Sequence, residues 1–205
     1  SILNKYRLRI NGNKTESIHA VYTSQVAYLA EIEHEFPKLK LSDSKQEVTI
    51  SDFFLLKRYV GKCLKDKRSS QIRGILTLLL RRLQGNNLSI DEILDELFYY
   101  LLKLVFEDVS LTAHIYRLLD FILKNVSNST PLISALKRKQ SKIDAEYPDT
   151  ILQIWHYYVL FRYSNNLDRA NMVASLKCKH FNPLVATCMV LSGKGKNKEL
   201  YKIIR

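Results

Sequence analysis

The chain has 205 residues, a formal net charge of +12 and 46% hydrophobic residues. A chain of that length buries roughly 70% of the surface its unfolded form exposes, so a core forms without metals or disulfides. Six glycines and four prolines among abundant Leu, Ile, Lys and Arg argue against a turn-rich sheet protein, and no apolar run is long enough to span a bilayer.

Cys63, Cys178 and Cys188 cannot all pair, which points to a reducing compartment. The chain begins at Ser1 without a signal-peptide pattern, and we expect a fragment of a longer protein. Asn13, Asn87, Asn125 and Asn128 each open an N-x-[ST] triplet, but several fall at expected helix ends, where Asn and Ser serve as caps. The net charge argues for an anionic partner: nucleic acid, an acidic protein surface or an anionic membrane. The plainer reading is that the charge keeps an Ile- and Leu-rich chain soluble.

In chain order, a short helix is expected over Ile2 to Ile10, stopped by Asn11-Gly12. A longer one follows over Thr15 to Phe36, with Ile18, Val21, Tyr22, Val26, Leu29 and Ile32 as its apolar set and Pro37 closing it. Lys38 to Glu47 is a polar loop. Ser51 or Asp52 caps the next helix, in which Phe53, Leu56, Tyr59, Val60 and Leu64 recur at helical spacing. After a polar break at Lys65 to Ser70, Ile72, Ile75, Leu76, Leu79, Leu80 and Leu83 form another stripe, ending at Gly85-Asn86-Asn87.

The segment Leu88 to Val126 organises the rest. Ser89 and Glu92 make a capping box, so a helix begins at about Ile90. Ile93, Leu94, Leu97, Phe98, Leu101, Leu102 and Val105 face one way, and Asp91, Asp95, Glu96 and Lys103 the other. A second helix begins near Ser110 and carries Leu111, Ile115, Leu118, Leu119, Ile122 and Leu123. A connection of about four residues leaves room only for an antiparallel neighbour.

Thr130-Pro131 is a helix start with Thr as cap and Pro at the first position. Leu132, Ile133 and Leu136 anchor that helix. Tyr147-Pro148-Asp149 begins the next, in which Ile151, Leu152, Trp155, Tyr158, Val159 and Arg162 line up. Leu167 to Leu176 and Asn182 to Leu191 read as two short helices, and Gly193 to Asn197 breaks the chain before a final ELYKII segment.

Ile50 to Tyr59 and Val159 to Tyr163 are rich in aromatic and branched residues without the period of two that a strand requires. The expected class is therefore all-α, a single domain over 1–205 built as an irregular HEAT-like array of antiparallel helix pairs. No fixed-length motif recurs, which speaks against tetratricopeptide or ankyrin repeats; a globular helical bundle is the alternative.

No catalytic, cofactor-binding or metal site is expected. Cys178, His180 and Cys188 are the closest ligand-like group, but zinc requires four ligands within tetrahedral reach. His114 and His156 fall on expected helices beside Tyr116, Trp155 and Tyr157, where packing or hydrogen bonding is their expected role. Asp91, Glu92, Asp95 and Glu96 lie in the first turns of their helix, where acid complements the dipole. Gly193-Lys194-Gly195-Lys196 lacks the preceding strand and the Ser or Thr of a phosphate loop. We therefore expect a non-enzyme without cofactors.

Basic clusters are the stronger signal. Lys57, Arg58, Lys62, Lys65, Lys67, Arg68, Arg73, Arg81 and Arg82 fall in one stretch whose one acid is Asp66. Lys57, Arg58, Lys62 and Lys65 share helical spacing. Lys137, Arg138, Lys139 and Lys142 make a second patch, and Lys194, Lys196, Lys198, Lys202 and Arg205 a third. Such patches bind phosphates by counterion release without reading bases. Aromatic interleaving of the kind that stacks bases is found around Trp155 to Tyr163, a run more in keeping with a core.

Several segments carry a family resemblance: VGKC at Val60 to Cys63, FYYLLKLVFED at Phe98 to Asp108, LLDFILK at Leu118 to Lys124, and Gln140-Ser141-Lys142 followed by PDTILQIWHYYVLF from Pro148. From Val48 onward their order resembles the N-terminal helical-repeat region of the centromere protein I family of the inner kinetochore. The resemblance implies a nuclear, non-enzymatic scaffold that holds the centromere proteins H and K and contacts histone-fold subunits and centromeric DNA, with no membrane association. The basic patches would then face DNA or acidic partner segments. An RNA-binding helical module of ribosome assembly or RNA processing, with the same patches on an RNA backbone, is the alternative from a different class.

Overall fold

A computed structural model of the chain describes residues 50–85, 91–178 and Met189. These residues are 88% helical, with seven α-helices and no strand, so the described part is all-α. The helices expected before Ile50, the capping Ser89 and the basic patch after Gly193 lie outside the described residues. The chain divides into two compact units, Ser1–Asn86 and Asn87–Arg205.

In the first unit, α1 (Ile50–Lys65) doubles back into α2 (Ser69–Gly85). Phe53, Leu56, Tyr59 and Val60 of α1 and Ile72, Ile75, Leu76, Leu79 and Leu83 of α2 are buried as the spacing predicts, whereas Leu64 and Leu80 are half-buried and Cys63 takes a core place on α1. Because α1 starts at Ile50, Ser51 and Asp52 lie inside it and are not its cap. The turn at its other end is closed by two backbone bonds, Arg68 N–H to the Cys63 carbonyl at 2.8 Å and Lys67 N–H to the Leu64 carbonyl at 3.1 Å. That pattern requires a left-handed residue just past the helix, a place usually held by glycine. Here Lys67 holds it, at φ 55°.

In the second unit, α3 (Asp91–Glu107) leads through a 3₁₀ turn (Val109–Leu111) into α4 (Thr112–Asn125), and the two helices pack together. Asp108 caps the turn, its carboxylate accepting from the Ser110 N–H at 3.0 Å and the Ser110 hydroxyl at 2.6 Å. Then come α5 (Thr130–Glu146), α6 (Ile151–Tyr163) and α7 (Asn166–Cys178). Helix α6 packs on α4, α5 and α7, and α5 also touches α3.

Two local expectations shift. The cap residue of α5 is Ser129, so Thr130 is the first helical residue; the Thr130 N–H is taken instead by Asn128 Oδ1 at 3.1 Å. The cap of α6 is Thr150, whose hydroxyl accepts from the Gln153 N–H at 3.4 Å, so Tyr147-Pro148-Asp149 precedes the helix.

The apolar face expected for α6 is also redrawn. Leu152 and Val159 are buried, but Ile151 is 53% exposed, and Gln153, His156, Tyr157, Leu160 and Phe161 are buried instead. A helix with neighbours on three sides has no single stripe to read.

Candidate binding faces

Helix α5 carries Lys137, Arg138, Lys139 and Lys142 on its exposed surface. Lys137 is paired with Asp168 of α7. Lys142 Nζ lies 3.7 Å from Glu146 Oε2. The Lys139 and Lys142 ammonium groups stand 5.6 and 5.0 Å from the centre of the Phe106 ring on α3. Exposed contacts of these kinds are worth about 1 kcal/mol or less each. An incoming anion therefore displaces little, and Arg138 makes no ion pair with a described residue.

The first unit offers a second face. At about 100° per residue, Phe54, Arg58, Gly61, Lys62 and Lys65 fall within about 100° of arc on α1, opposite its buried residues. Arg58, Lys62 and Lys65 are exposed, and Phe54 is 60% exposed. Lys57 is half-buried, its ammonium 4.4 Å from the Phe53 ring centre and 5.7 Å from that of Phe54. Lys67 stands exposed in the turn, and Arg68 binds Asp66 at 2.7 Å. On α2, Arg73 and Arg81 are exposed.

Arg82 does not belong to that face. It is 1% exposed, because its neighbours on the wheel are the core residues Ile75 and Leu79, whereas Arg81 projects about 100° away. The two expected patches thus fall one in each unit. The structure brings Lys139 and Lys142 together over Phe106 and aligns Arg58 with Lys65, and it withdraws Arg82.

Several ionisable groups of the second unit tie its described helices together. The Tyr116 hydroxyl lies 2.8 Å from His156 Nδ1. Burial pushes the imidazole down to about 3 and the phenol upward, so both groups are neutral and share one hydrogen bond. The other ring nitrogen is enclosed; the Leu136 backbone favours protonation of the ring but is outweighed by burial.

Asp144 accepts from Gln153 Nε2 at 2.9 Å and from the Tyr157 hydroxyl at 3.0 Å, and Gln140 Nε2 donates to that hydroxyl at 3.0 Å. Burial and the Asp144 carboxylate raise the phenol. The Tyr163 hydroxyl donates to Asp120 Oδ1 at 2.9 Å, and Arg162 approaches the same carboxylate at 3.4 Å. These bonds satisfy polar groups at helix–helix contacts.

Sequence reasoning missed Phe54, Phe106 and Asp144. Phe54 has a signal, since it stands four, seven and eleven residues before Arg58, Gly61 and Lys65 and so shares their face. Phe106 and Asp144 act through tertiary neighbours, which no local pattern announces.

Cys178 ends α7, and His180 and Cys188 lie outside the described residues. Among the described residues no helix is long and apolar enough to cross a membrane. The described residues form an all-helical fold with cationic outer faces. No protein-family model, curated protein or solved structure matches the chain.

Proposed function

We propose that the chain is a non-enzymatic helical scaffold whose helix pairs stack in a HEAT-type array. Protein partners seat on the array, and the basic faces hold DNA or acidic segments. One observation carries the reading: the cations of α5 and α1 stand at the surface in weak, exchangeable contacts, while His156, Asp144 and Tyr157 are committed to internal hydrogen bonds. Exposed charge meeting a partner's phosphates or carboxylates gains from counterion release and from steering.

The setting we propose is the inner kinetochore of the nucleus, with the centromere proteins H and K and histone-fold subunits as partners, on the strength of the sequence resemblance. Affinity capture with the chain as bait, the eluate divided and one half treated with nuclease before mass spectrometry, tests it. Kinetochore subunits recovered from both halves are the expected result. Ribosomal or RNA-processing factors that vanish with nuclease would replace this reading by an RNA-binding helical module.

A further inference from the structure

We propose that the outward face of α1 binds single-stranded nucleic acid, with Arg58 and Lys65 on phosphates and a base stacked on Phe54. The inference deepens the reading of this face as a binding surface and names its ligand.

Three observations converge. Phe54 is 60% exposed although the adjacent Phe53 is buried at 3%, so the hydrophobic requirement of α1 is already met without it. An aromatic ring in water among cations offers the π-face on which an unstacked base rests, whatever its identity. Next, Arg58 and Lys65 share its arc and make no ion pair with a described residue, and residues 50–85 hold nine Lys and Arg against Asp52 and Asp66.

Finally, Gly61 lies between Arg58 and Lys65 in the middle of the helix, where glycine is less stable than alanine. Packing does not require it: a Cβ built there meets nothing within 4 Å. A missing side chain on an outward face lets a ligand approach the helix backbone itself.

The alternatives fit less well. A duplex presents phosphates and groove edges, leaving Phe54 without a partner. An acidic amphipathic peptide requires an apolar groove, and Phe54 is the one large exposed hydrophobic residue among the described residues of this unit.

The test is fluorescence anisotropy of the purified full chain with labelled U12, dT12, a 12-base-pair duplex and a glutamate-rich peptide. We expect the single strands to bind about tenfold more tightly than the duplex or the peptide, and any preference between U12 and dT12 identifies RNA or DNA as the source. Phe54→Ala should weaken single-strand binding about tenfold with an unchanged salt dependence.

Arg58→Gln with Lys65→Gln should weaken it and reduce the slope of log K against log salt by about 1.4. Gly61→Ala should raise the melting temperature while lowering affinity, opposite signs that separate a ligand effect from a folding effect. Unchanged binding in Phe54→Ala, or duplex or peptide bound as tightly as U12 and dT12, would overturn the inference. Oligonucleotide binding without captured protein partners would sink the scaffold alone; captured partners without oligonucleotide binding would sink this inference alone.

Discussion

The Tyr116 hydroxyl and His156 Nδ1 meet at 2.8 Å with both side chains fully enclosed, Tyr116 on α4 and His156 on α6. The imidazole shares that bond in its neutral form, because burial pushes the group down to about 3. Below pH 6.5 the unfolded chain takes up a proton there that the folded chain refuses until about pH 3. Stability is therefore full above the unfolded value and falls with pH across this window, at up to about 1.4 kcal/mol per unit. Between pH 7 and pH 5 the residue should cost about 2 kcal/mol in denaturant unfolding. His156→Phe should be less stable at pH 7, with the orphaned Tyr116 hydroxyl costing about 1–3 kcal/mol, and should lose less on acidification.

Asp144 is the acceptor for two donors on the buried side of α6, Gln153 and Tyr157. Asp144→Ala removes the acceptor of both and should lower stability by about 2–3 kcal/mol. Tyr157→Phe leaves the Gln153 bond in place and should cost less, about 1 kcal/mol. Thermal melts of the two variants check the order.

The helical class and the cores of α1 to α4 were legible because each of those helices buries one stripe, so Leu97, Leu101 and Val105 or Ile72, Ile75 and Leu79 repeat at three and four residues. Helix α6 was not, because Gln153 and His156 enter its core through partners on α5 and α4, which lie 9 and 40 residues away in sequence. The basic faces were legible as clusters. Grouping Arg81 with Arg82 as one patch overlooks the wheel: Arg82 stands three and seven residues after Leu79 and Ile75, at the edge of their stripe, and Arg81 lies on the opposite face.

That pair gives a direct contrast. Arg81→Gln should leave stability within about 0.5 kcal/mol, as surface substitutions do. Arg82→Gln should cost about 2–3 kcal/mol, because a buried guanidinium loses its interactions. Urea midpoints of the two variants decide it.

Lys67 holds a left-handed conformation at φ 55°, which costs a residue with a Cβ about 1–2 kcal/mol. Lys67→Gly should therefore stabilise the α1–α2 turn by about 0.5–1 kcal/mol, the relief of strain exceeding the entropy lost on ordering glycine. Asp149, at φ 57°, is of a type that tolerates this region, and its N–H donates to Gln153 Oε1 at 3.0 Å. Asp149→Gly should change stability little, as a melting comparison of the two variants would show.

The scaffold account is tested most directly by quantitative affinity capture after nuclease treatment, with the wild-type chain beside a Lys139→Gln/Lys142→Gln variant that removes the charge over Phe106. The account predicts protein partners that survive nuclease with the wild type and fall several-fold with the variant, whose melting temperature is unchanged. Partners that disappear from the wild-type capture on nuclease treatment, or that bind the variant equally well, would contradict it.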